Sequence, residues 1–245
     1  MHYIPILSTL VTFAFAVAVL SRYRYKRPPH LLLWGIGLIL YGLGTLSEVI
    51  LGFTFNALVM KIWYLSGAML TAAWLGQGTI FLLVRRRWVA TGLAIGLALV
   101  SLLAVGLLLA APVSEAAAAY KVSQPVSAQY KEILTRGGGI IALTIILNLY
   151  GTLALVGGAL YSAYIFLRKH VLANRMWGNI LIALGALMPA SAGSFIKAGL
   201  ADWLYVSELL GVVLMYIGFL RATASPVTEQ KVITSANVPP ASTSS

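Results

Sequence analysis

The chain has 245 residues, 60% hydrophobic and only 9% charged, in apolar runs too long and continuous for surface helices; this excludes a soluble globule and points to an integral membrane protein. Its formal net charge of +11 is gathered in short clusters at the ends of those runs, which reads as a topology signal and argues against nucleic acid as a partner. With no cysteine, disulfides, thiolate metal sites and cysteine nucleophiles are excluded.

A first span is expected over residues 3–20, followed by a compact basic loop with Arg22, Arg24, Lys26 and Arg27, closed by Pro28 and Pro29. The arginines follow this apolar stretch, whereas a signal peptide carries its positive charge in front, so the segment is expected to stay as a span. The second span, 31–51, leads through an uncharged turn around Thr54 and Phe55 into the third, 57–84, which ends at Arg85, Arg86 and Arg87. The fourth, 88–110, contains no charge and places Gly92 and Gly96 four apart, a spacing that suits close helix packing or a lipid-facing surface. Residues 111–136 form the longest loop, with Pro112, Pro125 and an alanine run at 116–119, and part of it is expected to form a short surface helix. The fifth span, 140–167, follows three glycines and precedes Arg168, Lys169 and Arg175. The sixth, 177–199, carries Pro189, a kink that neighbouring helices tolerate. The seventh, 203–220, ends at Arg221, and residues 222–245, rich in Ser, Thr, Pro and Ala, read as a disordered cytoplasmic tail.

Alternate loops divide sharply in charge. One side holds all the basic clusters named above, and the other only Lys121, Lys131 and Arg136. Because Lys and Arg are retained on the cytoplasmic side, the reading is an all-α bundle of seven transmembrane helices, multi-pass in the cell inner membrane, with the N-terminus outside and the C-terminus cytoplasmic. The pairs Trp34-Gly35 and Trp177-Gly178 follow similar basic loops, and Trp63-Tyr64 is echoed by Trp203 and Tyr205. This fits either a parallel three-plus-one-plus-three repeat or the common placement of aromatic residues at membrane interfaces.

Of six acidic residues, Glu48, Asp202 and Glu208 fall inside or at the edge of spans. A charge at mid-helix costs about 2.5–3.5 kcal/mol on insertion, so such residues usually face a cavity or a partner. Glu48 and Lys61 are equally far from the first uncharged turn, and Lys197 and Glu208 stand likewise about a turn that contains Asp202, which places all five in the outer part of the bundle. Tyr41, Thr45, Glu48 and Gly52 share one helical face, as do Lys61, Tyr64, Ala68, Thr71 and Trp74. The candidate ligand-binding residues are therefore Glu48, Lys61, Tyr64, Lys197, Asp202 and Glu208, around an outward-opening cavity between spans two, three, six and seven. The competing structural reading pairs Glu48 with Lys61 to lock the hairpin and lets Lys197 and Asp202 snorkel to the interface. His2, His30 and His170 are terminal or in loops, and no HExxH or phosphate-binding loop is present, so neither metal, cofactor nor enzymatic activity is expected. Gln77 and Asn148 are lone intramembrane polar residues of the kind that bridge helices.

From the first basic loop through Trp34, Tyr41, Glu48, Lys61, Trp63-Tyr64 and Gly67 to Arg85, residues 22–87 resemble the seven-transmembrane sensor regions at the N-termini of bacterial histidine kinases. The resemblance implies a non-enzymatic sensor. With no kinase after Arg221, it implies one that passes its state to a separate signalling partner. The same cavity would serve a small transporter or channel, and the charge-free fourth span would suit an accessory subunit of a larger membrane complex.

Overall fold

The computed structural model describes residues 3–168, 173–197 and 203–224. These are helical, with no named strand among them: α1 (Tyr3–Lys26), α2 (Pro29–Leu51), α3 (Ala57–Leu83), α4 (Arg87–Ala110), the short α5 (Val126–Ile133), α6 (Gly138–Arg168), α7 (Ala173–Lys197) and α8 (Trp203–Ala222). Among the described residues six helices, α1, α2, α3, α4, α6 and α8, are long and apolar enough to cross a membrane by length and composition. The 25-residue α7 packs along α8. In lipid only a helix or a closed barrel satisfies every backbone donor and acceptor, and the long apolar elements among the described residues are all helices.

Local sequence sets the helix ends. Arg27 takes a left-handed conformation (φ 46°) that reverses the chain before Pro28, and Pro29 opens α2 where a missing N–H costs nothing. Asn56 caps α3, its Oδ1 accepting from the Val59 amide at 3.1 Å. One end of the bundle gathers the arginines of the short loops and is called here the basic end. The other is covered by residues 111–136 and is called the capped end.

Between apolar helices in lipid the hydrophobic effect is absent, so contact depends on small residues that let backbones meet. A Cβ on Gly151 of α6 would stand 2.1 Å from the Ala72 carbonyl carbon of α3, and Gly185 and Gly211 hold α7 against α8 in the same way. By contrast Gly92 and Gly96 have nothing within 4 Å, so the small face of α4 is turned away from this chain. Two apolar clusters result. One lies at the capped end, with Leu51, Met60, Leu108, Val126 and Ile133; the other fills the basic half, with Val19, Leu38, Leu75, Met215 and Phe219.

Both α3 and α6 contain a π-turn, at Tyr64–Leu70 and Leu153–Gly157. The wider turn changes the carbonyl register, and side chains take up the difference: Thr71 Oγ1 donates to the Ser66 carbonyl and Asn148 Nδ2 to the Ala68 carbonyl, each at 2.7 Å. The turn also ends the continuous face expected from Lys61 to Trp74. Tyr64, Ala68 and Thr71 keep to the bundle interior, but Trp74 turns to α4, where its Nε1 donates to Ser101 Oγ at 3.2 Å. Gln77, fully buried, bridges three helices by donating to the Ala90 carbonyl and accepting from Tyr150.

Gly151→Ala should force α3 and α6 apart and destabilise the detergent-purified protein by about 1–3 kcal/mol. Gly92→Ala, with open space around it, should leave the thermal unfolding temperature unchanged or slightly raised.

Candidate functional site: a chamber beneath the cap

Between the two apolar clusters lies a cavity of about 420 Å³. Its walls come from α2 (Tyr41, Thr45, Glu48), α3 (Trp63, Tyr64, Thr71), α6 (Thr144, Asn148), α7 (Ala186, Pro189) and α8 (Leu204, Glu208), with Ser127, Tyr130 and Arg136 closing it from the cap. Leu75, Leu155 and Met215 form its floor and belong to the apolar cluster of the basic half.

Glu48 is only 3% exposed. One carboxylate oxygen accepts from Trp63 Nε1 at 2.9 Å. The other is buried and meets no N–H or O–H donor among the described residues. Glu208 of α8 lines the same chamber wall as Glu48. The chamber thus holds two carboxyls, one from α2 and one from α8. Two carboxyl groups hydrogen-bond only when one of them carries a proton, and two bare charges in contact in a weakly polarisable interior repel strongly. Tyr41 reinforces the junction by donating to the Glu208 backbone carbonyl at 2.9 Å.

A second, water-sized pocket of about 30 Å³ lies on the other side of Glu48, under residues 120–126, with Pro5, Tyr120 and Tyr205 in its wall. Glu48 is the one described residue that lines both spaces. The strap over the small pocket is anchored by Tyr120, whose hydroxyl donates to the Leu51 carbonyl at 3.1 Å and whose ring lies 5.1 Å from that of Phe55. Burial, and after it the charge of Glu48, pushes the Tyr120 hydroxyl from 10.0 up to about 12.

Arg136, in the loop before α6, lays its guanidinium 4.7 Å from the centre of the Tyr130 ring and 5.6 Å from that of Tyr64. One of its terminal nitrogens reaches the Tyr64 hydroxyl at a long 3.5 Å, and its Nε is buried without a partner. Burial raises the Tyr130 hydroxyl against the smaller opposing pull of Arg136.

Of the residues singled out from sequence, Glu48, Tyr64 and Glu208 come together on the chamber wall. Lys61 does not join them. Its ammonium donates to the Leu109 carbonyl at 2.8 Å, capping one of the unpaired carbonyls at the end of α4. Equal distance from the turn gave Lys61 the same depth as Glu48 but not the same side, so the partner of Glu48 is Trp63 and the hairpin is not locked by an ion pair. The Lys197 side chain and Asp202 lie outside the described residues. Arg136, Tyr130 and Trp63 were missed as site residues. Arg136 looked like an ordinary loop charge, and only the cap folding back over the helix ends brings it to the chamber.

No family model, curated protein or solved structure matches the chain. Its class stands on its own helices: a multi-pass, all-α membrane protein.

Glu48→Ala strips the acceptor from a buried indole N–H and should cost about 1–3 kcal/mol, whereas Glu48→Gln keeps that acceptor and should stay within about 1 kcal/mol of wild type in detergent unfolding. The Tyr120 shift has a definite sign. The unfolded chain gives up this proton near 10.0 and the folded chain near 12, so the contribution is complete below pH 10 and is lost as pH rises towards 12. Unfolding followed over that alkaline range should be less steep in pH for Tyr120→Phe than for wild type.

Proposed function

We propose that this chain is a seven-span sensor of the inner membrane, with its cap and N-terminus outside, in which occupancy of the chamber is passed through the helices to a cytoplasmic or membrane signalling partner. The observation that carries the reading is the chamber itself: a site-sized space that holds Glu48 and Glu208 where Tyr41 ties α2 to α8, and whose outer neighbour is a water-sized pocket. Volumes of roughly 300–1,000 Å³ with a few convergent polar groups in apolar walls are what small-molecule sites have. A ligand or proton that prefers one arrangement of the Glu48–Glu208 junction shifts the balance between helix arrangements by that preference and no more. Both helices run from the junction to the basic end, where a partner would read the change. The distribution of Lys and Arg supports the orientation, and the likeness of residues 22–87 to histidine-kinase sensor regions points the same way.

A transporter needs a polar path through the basic half. The intramembrane polar groups that could line one are Thr71, Gln77, Asn148 and Asn179, and each is engaged otherwise: Thr71 with the Ser66 carbonyl, Gln77 with Ala90 and Tyr150, Asn148 with the Ala68 carbonyl, and Asn179 with the Arg175 carbonyl of its own helix at 2.8 Å. The floor at Leu75, Leu155 and Met215 is apolar. These observations favour occupancy over passage.

The test uses Trp63 as reporter, with Trp63→Phe as background. In purified wild-type protein the Trp63 fluorescence should change as the carboxyl pair gains or loses its proton. In Glu48→Gln and Glu208→Gln that change should vanish while the protein still inserts and unfolds as one unit. Two neutral variants that fail to fold would make the pair purely structural and end the proposal. Ion or solute flux in proteoliposomes would favour the transporter instead.

A further inference from the structure

The chamber is open on its flank. At the capped end, residues 120–126 lie over Glu48 and leave a pocket of about 30 Å³, room for a single water. On its flank, by contrast, the wall reaches the bundle surface between α6 and α7, where the lining residues Ile141, Ile145 and Ala190 are exposed. The geometry has a plain origin: α6 meets α7 chiefly through its half beyond the π-turn at Leu153–Gly157, and hardly at all through the half nearer the cap. At the head of this gap stands Arg136, a guanidinium held on two tyrosine faces, with a buried Nε that has no partner and no carboxylate paired to it among the described residues. A guanidinium is a planar fork of five donors, and its natural complement is a carboxylate or phosphate that takes two of them at once.

We propose that the chamber takes an anionic single-chain amphiphile from the bilayer, its acidic head on Arg136 and its chain running through the gap between α6 and α7 into the apolar floor. The inference rests on the chamber being the ligand site proposed above and adds the chemical class of the ligand. About 420 Å³ is space for roughly fourteen groups of water or methylene size at ~30 Å³ each, which suits one chain. The acid pair does not oppose such a head. The Trp63 and Tyr130 rings, 5.3 Å apart, stand between Glu48 and the guanidinium.

The probe is a dibrominated fatty acid, whose bromines quench nearby indoles, added to the full chain in phosphatidylcholine nanodiscs; its methyl ester serves as the uncharged control. Wild type should show saturable quenching by the acid and only weak, non-saturating quenching by the ester, and the saturable part should disappear in Trp63→Phe. Arg136→Gln should weaken apparent affinity about tenfold or more, the scale of a lost charge-assisted hydrogen bond, with Arg136→Lys in between. A brominated lysophosphatidate run beside the fatty acid tells a phosphate head from a carboxylate. The inference is overturned if acid and ester quench wild type alike, a comparison that needs no variant, or if Arg136→Gln binds the acid as wild type does. Should that happen while the Trp63 response still depends on Glu48 and Glu208, the chamber remains a site and only the ligand class falls. Loss of both results removes the sensor reading as well.

Discussion

A carboxyl group sealed inside an apolar bundle must be met by something, and what meets it constrains every helix nearby. Glu48 is met by an indole on one oxygen, and Glu208 lines the same chamber. The indole requires α3 to present Trp63 against α2, and the second carboxyl requires α8 to bring Glu208 to the same depth. The cap must then cover the result, because an acid pair left at an open helix end would simply hydrate and ionise. Tyr120, Tyr130 and Arg136 supply that cover from a segment that contributes nothing to the spanning helices.

The π-turns in α3 and α6 belong to the same arrangement. They flank the chamber on two sides, and each interrupts the regular register where the wall needs a change of direction. In α3 the turn separates Tyr64, which faces Arg136 and the chamber, from Trp74, which binds α4. Asn148 ties α6 to the altered register of α3 by taking the Ala68 carbonyl. In a membrane interior such a carbonyl has no water to turn to, so the asparagine is a structural requirement of the chamber shape.

The aromatic echo between the two halves of the chain does not carry over into equivalent contacts. Trp34 donates to Thr79 Oγ1 at 3.3 Å and Trp63 to Glu48, both inside the bundle, whereas Trp177 and Trp203 are 53% and 54% exposed. Their positions near the ends of helices suit the water–lipid boundary. The glycine pairs are a better guide to where helices touch, because a missing Cβ has one geometric consequence and an indole has several.

The sequence by itself determined the helices, their approximate ends and the unusual acids within them, because these follow from the length of apolar runs and from the cost of charge in lipid, both of which are local. It also put Glu48 and Glu208 together in the outer part of the bundle, since distance from a turn converts directly into height along a helix. It could not say which side of a helix faces which neighbour, so Lys61 looked like a partner for Glu48 and proved to cap α4, while the π-turn that follows took Trp74 off the shared face. Nor could it show that residues 111–136 fold back over the bundle and deliver Arg136 to the chamber. Those facts depend on packing between segments far apart in the chain, and only the tertiary structure decided them.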